Sequence, residues 1–269
     1  MPIPVAALLA GLVALAATLA VERFGGRWGG VLATVPSTFV PASIGLWSGS
    51  GPEGFDRAMA ITPVAMWANA LFLYSWRVLP PRLDAAARLG KLVGLSLAVW
   101  GAAAGTAVFG VGALLTAGAE PAWVHRGMST LLVTTGLLAT WRPVAAPSAR
   151  YAVSPLILLA RVVLPALAIG LALLAAQWSG PLLGGALSVF PAIFLTTMVA
   201  LHANQGEDIQ LGAVGPMMLG TSSMAVYSGF APMFFRAAGP WGGAGLTWLA
   251  SVVLGSIPVA LWLQRRHQT

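Results

Sequence analysis

Eight stretches of this chain are apolar over about the 20 residues that a helix needs to cross a bilayer: Ile3–Val21, Gly29–Trp47, Ala58–Trp76, Leu92–Ala117, Leu156–Gln177, Leu182–His202, Gln210–Ala231 and Gly242–Leu263. Of its 269 residues 58% are hydrophobic and only 8% charged, where a soluble domain carries about 25% charged residues. The composition predicts an all-α polytopic membrane protein. The net charge of +7 sits in short clusters between the apolar stretches, as topology signals do. It forms no continuous basic footprint for nucleic acid. With no cysteine, disulfides, thiolate metal sites and thiol catalysis are excluded. The first 21 residues lack a basic leading region, so they are expected to form a first span and not a cleaved signal peptide.

A ninth stretch, Ala122–Trp141, has a clean apolar part of only 15 residues, Gly127 to Trp141. Charge decides whether it crosses, because cytoplasmic loops carry the excess of Lys and Arg. With nine spans, Arg23, Arg27, Arg77, Arg82, Arg88, Lys91, Arg142, Arg150, Arg265 and Arg266 share one side, and Arg57, Arg126 and Arg236 the other, 10 against 3. With eight spans the same residues divide 7 against 6. Nine helices are therefore expected, with the N-terminus outside and the C-terminus in the cytoplasm of a cell (inner) membrane.

The second and seventh of these spans repeat one another. Residues 25–46 and 180–201, laid together without gaps, share Gly25/Gly180, Gly29/Gly184, Gly30/Gly185, Leu32/Leu187, Pro36/Pro191, Phe39/Phe194 and Leu46/Leu201. Pro63, Tyr74 and Ser75 then align with Pro216, Tyr227 and Ser228 once two loop residues are dropped. Spans 1–4 match spans 6–9, and an offset of five spans inverts one copy relative to the other. Inverted repeats of this kind build many secondary transporters, with the solute site at broken helices near the midplane. The expected organisation is a first membrane repeat over residues 1–117, a linking fifth span with its loops over 118–152, and a second repeat over 153–269.

Pro36 and Pro41 lie inside span 2, and Pro191 inside span 7. A helix-interior proline removes a backbone hydrogen bond, and in lipid the freed carbonyls must find partners in protein or in a polar cavity. Ser37, Thr38 and Ser43 surround the first break, and Ser188, Thr196 and Thr197 the second. Asn69 lies inside span 3, and Thr221, Ser222 and Ser223 occupy the equivalent part of span 8. These residues make a candidate substrate site, with packing kinks and interhelical hydrogen bonding as the plainer alternatives. The glycine pairs Gly29-Gly30 and Gly184-Gly185 fit close helix packing. Glu53 and Asp56, and their counterparts Glu207 and Asp208, are candidate acids at the two mouths of a pathway. His202, Glu207 and Asp208 are the only metal-ligand grouping, without the spacing of a defined motif. The nine methionines read as adaptable core filler, and the tryptophans at span ends as an interfacial belt. Arg161, near the start of span 6 and aligned with Ala6, is expected to snorkel to the interface.

Each copy resembles the small four-helix bacterial membrane proteins of the GlpM type. The resemblance lies in Phe190-Pro191 through Tyr227 and, in the other copy, Val35-Pro36 through Tyr74, where Val35 departs from the Phe. It implies a duplicated, fused four-helix unit and carries over no catalytic or binding residue.

No nucleophile, base and orienting group occur together, and no cofactor motif is present, so an enzyme is not expected. The expected function is transport of a small polar or cationic solute by alternating access between the two repeats. An ion channel and a non-transporting, partner-binding membrane protein are the alternatives. The partners implied are the lipid bilayer and a small solute or ion, with an oligomer allowed.

Overall fold

The computed structural model describes residues 1–24, 35–83, 88–141, 155–205 and 207–266; the side chains of residues 18, 20–24 and 204–209 lie outside that description. Among the described residues the chain is helical, with no strand. In order it forms α1 (Ile3–Phe24), α2 (Phe39–Val78), a single 3-10 turn at Pro80–Arg82, α3 (Arg88–Thr116), α4 (Pro121–Ala139), α5 (Pro155–Ser179), α6 (Pro181–Leu187), α7 (Ala192–Gln205), α8 (Glu207–Gly220) and α9 (Ser222–Ser251). A π-helical turn at Val252–Ser256 then leads into α10 (Ile257–Arg266).

Among the described residues five runs are long and apolar enough to cross a membrane: Phe39–Val78, Arg88–Thr116, Pro155–Ser179, Pro181–Ala203 and Gln210–Arg266. A shorter apolar run covers Ile3–Ala17. Helix length therefore returns fewer runs than the nine crossings expected from charge. One reason is local: α2 and α9 each contain a non-helical glycine, Gly51 at φ 68°, ψ 179° and Gly239 at φ 69°, ψ −179°. That backbone region is open essentially to glycine alone. The proline that follows each, Pro52 or Pro240, starts a new helical turn where its missing N–H costs nothing. Gly180-Pro181 makes the same corner, at φ 91°, between α5 and α6. The stretch around Glu53 and Asp56, read from sequence as a loop, is thus a corner followed directly by helix.

α2 is the central element, packed against α3, α4, α6, α8 and α9. It supplies many of the largest fully buried side chains, among them Phe55, Phe72 and Trp76. α1 lies against α5, with Gly11 facing Val162 and Ala166, and Gly170 facing Ala7. The outer surface is apolar: Phe109 is 82% exposed and Trp178 80%, a placement that suits lipid and not water.

The two ends of the bundle are defined by side-chain neighbours. Met1, Ser50 and Gln177 line one small cavity, so the start of α1, the Gly51 corner and the end of α5 share an end. At the opposite end Arg77 Nη1 donates to Ala139 O at 3.2 Å. There Gln210 Nε2 donates to Trp76 O at 2.7 Å, and Arg266 stacks on the Trp141 ring at 4.7 Å.

Candidate functional site

The two prolines matched in sequence break the chain in the same way. At Pro36 the Ser37 N–H bonds Val35 O at 2.8 Å. At Pro191 the Ala192 N–H bonds Phe190 O at 2.8 Å. Each is a three-residue turn centred on proline, with the next helix starting one to three residues later, and the one at Pro191 separates α6 from α7. The carbonyls released by such a break need new partners. Asn69, only 1% exposed, supplies one: its Nδ2 donates to Val189 O at 2.7 Å. The amide also lies 3.3 Å from Met66 Sδ, while its Oδ1 is buried with no hydrogen-bond partner. A buried acceptor left unmade costs about 1–3 kcal/mol.

Both turns face one cavity of about 580 Å³, within the ordinary range for a small-molecule site. The structure brings Pro36, Ser37, Thr38, Asn69, Ser188, Pro191, Thr197 and Thr221 to its wall, from α2, α6, α7, the α8–α9 junction and the segment before α2. Two members of the sequence-derived set stand back from it. Thr196 Oγ1 donates to Ala192 O and Ile193 O at 3.0 Å, and Ser222 Oγ to Leu219 O at 2.6 Å. Their helical phase turns them into protein, and the neighbouring Ser223 lines the cavity instead. Much of the remaining wall is apolar, including Phe39, Met66, Ile169, Val189 and Met224.

Arg161, expected from sequence to snorkel to the interface, has a placement the sequence reading did not include. It lines the cavity, and its Nη2 donates to Thr197 Oγ1 at 3.4 Å. The available signal was the arginine itself, since an ionisable residue inside an apolar span marks a site by default. Tryptophans also buttress the breaks. Trp248 Nε1 donates to Ser37 Oγ at 3.1 Å, and the Trp100 ring meets Phe190 edge-on at 5.0 Å.

Of the expected mouth acids, Glu53 is exposed. Asp56 is paired: its Oδ2 accepts from Arg236 Nη2 at 2.6 Å. The pair sits beside a cluster of Trp47, Phe55 and Phe235, whose rings lie 4.7 to 5.6 Å apart. Deeper in, the Ser43 and Tyr227 hydroxyls bond at 2.7 Å. These contacts lie on the Gly51 side of the cavity, beyond Phe39, which lines it. Toward the other end the wall continues through Ala17, Arg161, Leu263 and Gln264, near the last turn of the final helix.

His202 Nδ1 bonds Gln210 Oε1 at 2.7 Å. The side chains of Glu207 and Asp208, and the Gly29-Gly30 pair, lie outside the described residues. Among the described residues no group of three His, Asp or Glu side chains could hold a metal ion.

Comparison with known proteins gives no match, whether to a family model, a curated protein or a solved structure.

Proposed function

We propose that this chain is a transporter that moves a small polar solute across a cell (inner) membrane by alternating access between two inverted repeats. The observation that carries the proposal is the pair of 2.8 Å turns at Pro36 and Pro191 on the wall of one cavity. Discontinuous helices meeting at a shared site are the recurring architecture of secondary transporters.

Three further features support the repeat. Among the described residues, the five long apolar runs, with Phe39–Val78 cut at Gly51 and Gln210–Arg266 cut at Gly239, make nine rods together with α1 and α4, grouped as four, one and four. In the gapless register Gly11 corresponds to Ala166, and these two residues pack on each other, as a two-fold axis through that contact requires. Trp100 and Trp248, each in the fourth rod of its group, brace the break of the opposite group. A fused pair of GlpM-type four-helix units is the ancestry this arrangement proposes. The cation bias of the sequence sets the N-terminus outside. The Gly51 end then faces outward and the Arg161 end faces the cytoplasm.

The test is reconstitution of the full chain in proteoliposomes, with a panel of small solutes under imposed proton or sodium gradients. Saturable flux with counterflow is expected. Absence of movement for every solute, or single-channel currents far above carrier turnover, overturns the proposal.

A further inference from the structure

The last rod of the chain changes its hydrogen bonding halfway along. Up to residue 252 it is α-helical, and the Val252 N–H bonds Trp248 O and Leu249 O. Beyond that point the Ile257 N–H reaches back five residues to Val252 O, one more than an α-helix spans. Single π-helical turns of this kind sit inside α-helices, often at functional sites. Pro258 follows at once and has no N–H to donate, so the junction lacks a further bond. α3, which the repeat matches to this rod, is α-helical throughout Arg88–Thr116 and contains no proline.

The two halves of the rod are held differently. In the first half Trp248 Nε1 donates to Ser37 Oγ at 3.1 Å, and a Cβ added at Gly243 would lie 2.5 Å from Phe235 Cα. The turn itself is seated on α9, where a Cβ at Gly255 would lie 2.9 Å from Ser223 Cα. Such backbone approaches fix the first half and the turn in place. In the second half, one face of α10 lines the cavity through Val259, Ala260, Leu263 and Gln264. The other face carries Trp262 and Arg266, and the Arg266 guanidinium stacks on the Trp141 and Trp262 rings at 4.7 Å. Swinging α10 about the turn carries it from Trp141 into the 580 Å³ of cavity space. Swinging the first half would instead break close packing. Hinges are a few element-terminal residues that absorb such a change.

We propose that the π-helical turn at Val252–Ser256 is a hinge and α10 the gate at the Arg161 end of the cavity, held back from the cavity by Arg266 on Trp141. This rests on the transport reading of the same cavity, and it adds to the rocking of two repeats a gate within one helix.

The experiment uses the full chain in detergent. With no native cysteine, spin labels are placed at Leu156→Cys, 75% exposed near the start of α5, and at Arg265→Cys, exposed on α10. Pulsed electron paramagnetic resonance reads the distance between them across the cavity mouth. Two distances are expected, the longer one with α10 against Trp141. Trp141→Ala is expected to raise the ratio of shorter to longer about two- to fivefold, the loss of one cation–π contact. Deletion of Val253, an exposed residue inside the turn, restores α-helical spacing and is expected to leave one distance. Pro258→Ala, a milder change, is expected to narrow the distribution in the same direction.

The labelled chain and Pro258→Ala test the hinge without requiring the deletion variant to fold. A single distance that Trp141→Ala does not shift overturns the proposal. So do two distances that persist unchanged in Pro258→Ala and in the Val253 deletion. Two distances without solute flux in proteoliposomes uphold the hinge and remove the transport reading, whereas saturable flux with one fixed distance does the reverse.

Discussion

Close contact, more than polarity, determines which single residues the fold tolerates. A Cβ added at Gly185 would lie 2.7 Å from Ala58 O and 2.9 Å from Ala58 Cα. These are backbone atoms that cannot move aside, so α6 must shift off α2. Gly185→Ala is expected to lower stability by about 1–3 kcal/mol, read as a fall in thermal midpoint in detergent. Gly105→Ala on α3 meets nothing within 4 Å and is expected to be neutral or stabilising by up to about 1 kcal/mol. Equal losses at both positions would rule out the packing explanation. Residue-level reading of the sequence succeeded where chemistry forces a contact. Asn69 had to bond something inside a bundle, and it bonds the carbonyl freed at the nearby break. It failed where helical phase decides, because Thr196 and Ser222 belong to the right segments but point away from the cavity. Arg161 was visible as an ionisable residue inside an apolar span, yet its reach to Thr197 depends on how α5 lies against α7.

At the scale of elements, the broken helices are the costly feature. Pro191 denies α6 and α7 a continuous hydrogen-bond ladder, and an interior proline costs a helix about 3 kcal/mol. Pro191→Ala is expected to leave thermal stability unchanged or raised, and to cut flux at least about tenfold, equivalent to roughly 1.4 kcal/mol. Stability and transport assayed on the same preparation decide the matter, and unchanged flux would reduce the break to a packing kink. Sequence pointed to both proline turns, since an interior proline removes a helix hydrogen bond, with a packing kink as the plainer alternative. It did not reveal the corners at Gly51 and Gly239 as helix, because Gly-Pro reads as loop while the following proline starts a new turn at once. The π-helical turn at Val252–Ser256 also had no sequence sign. It brings Gly255 against Ser223 at the cavity wall.

For the molecule as a whole, the Gly51 end is joined by few polar contacts among the described residues. The Asp56–Arg236 pair, 28% and 45% exposed, contributes about 0.2–1 kcal/mol after screening, and the Trp47, Phe55 and Phe235 rings add packing. Loss of the pair should barely change folding, yet it should shift an open–closed equilibrium by up to about fivefold. The chain has no cysteine, so a single Ser188→Cys reports access to the cavity without a background signal. Asp56→Asn is expected to speed its labelling from the Arg236 end a few-fold, and the swap Asp56→Arg with Arg236→Asp to restore the slow rate. Identical labelling rates in all three would remove the pair from any gate. The packing of the two halves was legible only as symmetry. A repeat says which residues correspond, not which of them touch.

The contact between Gly11 and Ala166 carries a consequence for how such a chain could arise. If the halves descend from one gene, that patch once met its own copy, residue on matching residue, as the two faces of any two-fold homodimer must. The ancestor needed no new interface to pair with itself. On that reading it needed only to insert in both orientations, and α4 would be the piece that lets a single polypeptide hold the two orientations together.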